Sequence, residues 1–312
     1  MIRYALQRIV FGLITIWFVA TATFVAMHMV PGDPLTNDKA MAPEIRENLM
    51  RQYGLDKPLL AQYGIYLRNM LRGDFGISYA QENRHVNDII REHFPVSAML
   101  GVLAIIFATL GGILWGALTA RYQQRWPDFV IMGLVILSIS VPGFVFAAFA
   151  QLTLVHINRW YGVELLPIAG WGTLRHMLVP ALVLGLGTMA FLTRLMRSSL
   201  LEIAQADYIT TAKAKGLSGV RIFFVHQLRN ACLPLLTVLG PAIATITTGG
   251  FVVELVFSIP GLGRYFVQAI QQLDYTVIMG TTVFYGSFLV LMVVLVDLLY
   301  GWVDPRIKLH GH

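Results

Sequence analysis

The residues of this chain that could do chemistry are few and scattered. Two acidic groups, Glu254 and Asp297, sit inside long apolar runs. Neither is central. Asp297 lies six residues before Val303, about 9 Å from that end at 1.5 Å of helical rise per residue, and Glu254 is similarly close to an end of its own run. An ion-driven machine needs titratable groups near the membrane midplane. Their absence there points to energy supplied from outside the chain. What the apolar runs do carry is polar and uncharged: Ser138 and Ser140 beside Pro142, and the stripe Thr245, Thr247, Thr248 before Gly249-Gly250. These are candidate walls of a polar path, with Glu254 at its outer mouth. The alternative is ordinary helix hydrogen bonding for the serines and threonines, and for Glu254 a local bond to the Pro260-Gly261 turn.

Other chemistries are excluded by what is missing. No G-x-x-x-x-G-K-[ST], H-E-x-x-H or C-x-x-C occurs, which removes P-loop nucleotide binding, zincin hydrolysis and dithiol exchange. Gly185-Leu186-Gly187 and Gly261-Leu262-Gly263 lack the strand–turn–helix setting of a dinucleotide site. The single cysteine, Cys232, forbids an intrachain disulfide and reads as a small apolar residue. His310-Gly311-His312 reads as a solvated tail, and His28 and His156 as interfacial side chains. Basic residues line no aromatic-rich face, so nothing supports a nucleic-acid partner. No cofactor or metal is expected on this chain, and no clustered acid, base or metal set suggests an enzyme.

The elements that must hold these residues are apolar helices. Of 312 residues, 56% are hydrophobic and 13% charged, against about 25% charged in a soluble domain. A helix needs about 20 apolar residues to cross roughly 30 Å of hydrocarbon. Six stretches qualify: Ile9–Val30, Val96–Ala120, Phe129–Val155, Leu174–Leu192, Leu233–Phe257 and Val277–Val303. The first is longer than a secretory h-region and no small-x-small cleavage site follows it, so it reads as an uncleaved span. The expected architecture is all-α: one polytopic transmembrane domain over 1–312.

Excess Lys and Arg mark the cytoplasmic side. With both termini inside, twelve of the 23 Lys and Arg fall in inner segments and three in the two short outer loops. The remaining eight lie in the first outer loop, 31–95, beside nine Asp and Glu. Long loops translocate largely regardless of charge. Within this one, Glu44–Tyr53 and Pro58–Leu71 show helical spacing, the latter through Leu59, Tyr63, Tyr66, Leu67 and Met70, and Val86–His93 reads as a third short helix. These amphipathic helices suggest a cap on the membrane domain or a docking surface, or else simple residence in the lipid interface. Pro142-Gly143, Pro180, Pro234 and Gly240-Pro241 fall inside or at the ends of spans, and each proline frees a backbone carbonyl. Gly112 and Gly116 form a GxxxG suited to close helix approach.

The segment 194–232 is too polar to lie in lipid. Ser198–Lys215 has helical character, Gly216 reads as a left-handed terminator, and Ser218 as the N-cap of a second helix, Val220–Arg229. The spacing predicts a helical hairpin below the membrane.

That hairpin carries the run from Glu202 through Ala206-Asp207-Tyr208, Thr211-Ala212-Lys213 and Lys215-Gly216-Leu217 to Leu228-Arg229-Asn230 and Pro234. It resembles the EAA loop of binding-protein-dependent ABC transporter permeases, in the form of the dipeptide/oligopeptide branch. Pro31-Gly32-Asp33-Pro34, Gly73-Asp74-Phe75-Gly76, Val86-Asn87-Asp88, Asp274-Tyr275 and Asp304-Pro305-Arg306 extend the resemblance along nearly the whole chain, and the set resembles the B-type subunit of that branch. Ile203 and Thr276 depart from it, standing where the family pattern and many relatives have Ala and Pro.

The resemblance implies a type I ABC importer permease fold in a bacterial inner membrane. It also implies three kinds of partner besides lipid: a second, homologous permease, two cytoplasmic ATPase subunits that carry the ATP and Mg, and an extracytoplasmic solute-binding protein. It implies import of oligopeptides or dipeptides. Relatives that move nickel chelates, glutathione-like thiols or sugars stay open as alternatives, as does an ion-coupled secondary transporter. It makes Glu202, Ala206, Asp207, Tyr208, Thr211, Ala212, Lys213, Lys215 and Gly216 the residues expected to couple the chain to an ATPase. On one continuous helix Ala204, Tyr208, Ala212 and Lys215 would share a face.

Overall fold

The computed structural model describes residues 2–30, 47, 50–51, 54–81 and 83–303. Among them every regular element is helical, apart from one isolated bridge between Ile77 and His85. The expected helix Glu44–Tyr53, the segment 31–34 and the residues after 303 lie outside the described residues.

Long helices form around the long apolar runs and extend past them into polar flanks. They are α1 (Ile2–Met29), α3 (Val86–Arg121), α6 (Leu174–Ala204) and α11 (Tyr275–Val303). With the run Leu233–Val256, five helical stretches among the described residues are long and apolar enough to span a membrane. A sixth span exists if a bent pair is counted as one: α4 (Trp126–Ser140) and α5 (Gly143–Tyr161), whose axes turn by 111°. The expected span Phe129–Val155 is therefore two helices. Val141, preceding a proline, is extended at φ −95°, ψ 129°. Helical geometry is disfavoured at that position, and Pro142 has no N–H to continue the ladder.

Pro95 does the opposite. It lies inside α3, so the short helix expected over Val86–His93 is instead the outer end of the second span. One missing hydrogen bond did not outweigh a 36-residue helix, about 54 Å long against a hydrocarbon core of about 30 Å.

The chain divides into two compact units. The first comprises residues 1–97 and 260–291, the second 98–259 and 292–312.

In the first unit, α2 (Leu59–Leu71) confirms the amphipathic reading of the outer loop. Tyr63 and Tyr66 pack on Phe24 of α1, and Tyr63 shares a 2.7 Å hydrogen bond with Thr21. Burial, followed by the neighbouring Tyr63, pushes the Tyr66 phenol above its ordinary range. Leu59, expected on the packed face, is exposed. The main core joins Val86, Ile89 and Ile90 of α3 to Leu262 and Ala269 of α10 (Leu262–Gln271) and to Val277 and Ile278 of α11.

The turn motifs of the outer loop close onto that core. The Asn87 side chain accepts from the Phe75 amide at 2.9 Å and donates to the Gly73 carbonyl at 2.5 Å. Asp274, 2% exposed, accepts from the Ser78 hydroxyl, the Thr276 hydroxyl and the amides of Tyr79, Ala80 and Val277. Its bond to Val277 makes it the N-cap of α11.

In the second unit, α6 is central. Leu192, Met196 and Leu200 pack with Ala231 and with Leu235 of α8 (Leu233–Gly249). The GxxxG expectation holds: a Cβ on Gly112 would lie 2.6 Å from the Leu192 Cβ, and one on Gly116 2.5 Å from the Met196 Cβ. The fifth span runs on through Gly250, itself in the right-handed helical region, where α8 gives way to α9 (Phe251–Val256).

Candidate functional site

The polar segment after the fourth span folds as a compact hairpin, built differently from the single helix expected over Ser198–Lys215. The membrane helix α6 runs on to Ala204. It ends in a tight turn, with the Gln205 and Ala206 amides donating to the Glu202 and Ile203 carbonyls. A separate helix α7, Asp207–Ala214, then begins. Asp207 in its first turn and Lys213 in its last complement the helix dipole.

Gly216 has φ +74°, the left-handed conformation expected of it. The Leu217 amide reaches back to Ala212 and the Gly216 amide to Lys213, the two bonds of a Schellman ending. The Ser218 hydroxyl accepts from the Arg221 amide, as an N-cap does. The returning arm is not a plain α-helix: Ile222–Leu228 is π-helical between short α-turns Gly219–Arg221 and Arg229–Ala231. π-Helical turns are rare and frequently sit at functional sites.

Ile209, Ala212 and Ile222 form the hairpin's own small core, with Ile203, Ala206 and Leu217 packed around it. The Asn230 amide group ties the arms, donating to the Tyr208 hydroxyl at 3.1 Å and to the His226 carbonyl at 2.9 Å. Of the nine expected coupling residues, Glu202, Asp207, Tyr208, Thr211, Lys213, Lys215 and Gly216 are exposed, Ala206 is half-buried and Ala212 is buried. The turn at Gln205-Ala206 separates Ala204 from Tyr208, so the four-residue face expected on one helix does not exist. Sequence reasoning missed Val220, Phe224 and Val225, which expose large apolar surface on the returning arm. Their apolar run was visible, but only the fold shows that it is uncovered in this chain.

The expected polar path is not gathered in one place. A cavity of about 740 Å³ opens at the Pro142 break. Its lining is largely apolar, with Phe144, Phe146, Leu184, Phe191 and Val252 beside Gly187 and Arg194. Ser138 lines it and gives its hydroxyl to the Leu134 carbonyl. Ser140 is exposed. Thr245, Thr247 and Thr248 each bond the carbonyl four residues back on their own helix, at 2.7 to 2.8 Å. Thr245 is exposed, while Thr247 is buried facing Gly101 of α3. Residues two apart on a helix point about 200° apart, so one face cannot present both. The Glu254 side chain is 2% exposed and its backbone carbonyl holds the Ile259 amide at 2.8 Å. The Asp297 side chain lies outside the described residues. No cluster of three or more metal-binding side chains occurs among the described residues.

Comparison with known proteins gives matches over both halves. The family described as "Binding-protein-dependent transport system inner membrane component" matches residues 112–309, and its companion N-terminal family matches residues 1–101. The dipeptide transport system permease protein DppB of Bacillus subtilis is 44% identical over 310 residues, 99% of either chain. The oligopeptide transport system permease protein OppB of Haemophilus influenzae is 39% identical over 99% of this chain and 100% of its own. Among solved structures, the inward-facing MetNI methionine ABC transporter aligns with TM-score 0.53 at 16% identity, covering 70% of this chain and 96% of that one. An amino acid ABC transporter solved with histidines aligns with TM-score 0.50 at 14% identity. At these identities the structural matches show the fold.

Proposed function

We propose that this chain, which belongs to the binding-protein-dependent transport system inner membrane component family, is the permease subunit of an ATP-driven importer of short peptides. The observation that carries this reading is the 44% identity to a dipeptide permease across the full length of both chains. In this reading the chain forms half of the pathway beside a second, homologous permease. Two ATPase subunits holding ATP and Mg dock from the cytoplasm, and a solute-binding protein delivers substrate from outside.

The hairpin has the properties a coupling element needs. It is a knob with its own core, its left-handed stop and its tie between arms, so a push on α7 moves it as a body. It is continuous with α6, whose Leu184, Gly187, Phe191 and Arg194 line the cavity. From Gly187 to Ala204 is about 26 Å of unbroken helix, a stiff lever between hairpin and cavity. With the N-terminus and the hairpin both cytoplasmic, α4 and α5 together must make one crossing. The largely apolar cavity suits peptides of varied side chains, because few fixed polar groups select among them. Ser138 is its candidate polar contact.

The test is reconstitution of the assembled transporter in proteoliposomes with a labelled dipeptide. Uptake should require ATP and be competed by other short peptides. Uptake that persists with a hydrolysis-dead ATPase would establish an ion-coupled transporter instead, and competition by nickel chelates or glutathione but not by peptides would move the substrate assignment within the family.

A further inference from the structure

The broken span packs along the lever helix and meets it through one ion pair, Arg197–Asp128. Helix α4 buries only two residues, Asp128 and Val135. Phe129, Val130, Leu134, Ile136 and Leu137 are all exposed. Asp128 is the sole charged residue in Trp126–Ser140. Its carboxylate receives Arg197 of α6 through two parallel bonds, Nε to Oδ1 at 2.9 Å and Nη2 to Oδ2 at 2.8 Å. Oδ2 also accepts the Gln124 amide at 2.9 Å, and Gln124 is held at φ +59°. One carboxylate therefore joins the α3–α4 turn, the start of α4 and the inner end of α6.

Position gives this pair a role beyond attachment. Arg197 stands between Arg194, which lines the cavity, and Ala204, where α6 enters the hairpin. The far end of α4 is the Val141–Pro142 break, whose residues also line the cavity. Asp128 is buried and Arg197 half-buried, and an ion pair taken partly out of water adds little net stability, so the geometry it enforces is the property to test. A bidentate guanidinium–carboxylate pair fixes orientation as well as distance.

We propose that Arg197 and Asp128 are positioning residues that clamp α4 to α6, so that movement received at the hairpin is delivered through α4 to the hinge at Val141–Gly143. This rests on the coupling role proposed for the hairpin. The clamp makes α4 and the inner half of α6 one rigid body and leaves the break as the place where bending occurs.

Two measurements on the complete transporter test it. In a Cys232→Ser background, spin labels at Trp126→Cys and Val220→Cys, both exposed positions, report the distance from the start of α4 to the hairpin. The expected result is an unchanged distance between nucleotide-free and ATP-trapped states. A distance that shifts with nucleotide overturns the clamp, whatever any variant does. Separately, Asp128→Asn and Arg197→Lys should keep ATP hydrolysis while peptide moved per ATP falls about tenfold, and the exchanged pair Asp128→Arg/Arg197→Asp should recover much of the ratio. An unchanged ratio in both single variants overturns the proposal. A Thr211→Cys cross-link to an ATPase subunit separates the two readings. If the cross-link forms but the label distance changes, only the clamp fails; if no cross-link forms, the hairpin reading fails and the clamp with it.

Discussion

Replacing Asp274 by alanine should release the outer loop from the start of α11. The buried carboxylate holds two hydroxyls and three amides. The Thr276 hydroxyl keeps a second acceptor, the Ile77 carbonyl at 2.6 Å, and the Ser78 hydroxyl can rotate. The amides of Tyr79, Ala80 and Val277, now at 3.1, 3.3 and 3.3 Å from carboxylate oxygens, have no such freedom. An unmatched buried donor costs about 1–3 kcal/mol, and water entering from the loop side recovers part of that. A net loss of about 3 kcal/mol follows, equivalent to about a hundredfold rise in local opening. Hydrogen exchange followed by mass spectrometry on the purified protein reads this directly. Peptides covering 77–80 and 275–279 should lose protection by about two orders of magnitude, while those of α6 should not change. Asp274→Asn, which keeps an acceptor oxygen, should lose less. Wild-type exchange at 77–80 in the alanine variant would refute the reasoning, because the Asp274 carboxylate is what gathers the Ser78 hydroxyl and the Tyr79 and Ala80 amides at one point.

Three other outcomes follow from the same geometry. Gly116→Leu should destabilise the second unit by about 1–3 kcal/mol through overpacking against Met196, seen as a lower thermal midpoint in detergent; an unchanged midpoint would mean that α3 and α6 are not so close. Gly216→Asp, which forces a side chain onto φ +74° at a cost of about 1–2 kcal/mol, and Tyr208→Asp, which breaks the tie to Asn230, should both insert in the membrane yet lower peptide uptake per ATP hydrolysed; normal ratios in both would remove the hairpin from the coupling path. Glu254→Gln should leave the apparent KM for peptide unchanged, since a side chain 2% exposed does not meet substrate; a several-fold rise in KM would put Glu254 at the pathway after all.

Local chemistry decided some features without help from the rest of the fold. Long apolar runs become long helices because lipid offers the backbone no other partner, so α1, α6 and α11 could be read directly, as could the amphipathic α2. The Gly216 stop and the Ser218 cap were legible for the same reason: each depends on one residue's backbone freedom or one hydroxyl's reach. GxxxG predicted a close crossing but not its partner, which α6 supplies through Leu192 and Met196.

Other features needed the tertiary structure because their causes lie far apart in the chain. Pro142 breaks a span while Pro95 and Pro180 do not, and a proline's local cost is the same in each case; packing decides whether it is met by bending. Ala212 and Tyr208 look equivalent on a helix, but Ile222 covers the first and solvent meets the second. Thr245, Thr247 and Thr248 look alike in sequence, but only the packing leaves Thr245 exposed while it buries Thr247 against Gly101. Asp274 and Ser78, separated by 196 residues, and Arg197 and Asp128, separated by 69, become partners only when the helices between them have packed, since a carboxylate is stable in a buried place only where the fold brings enough donors to meet it.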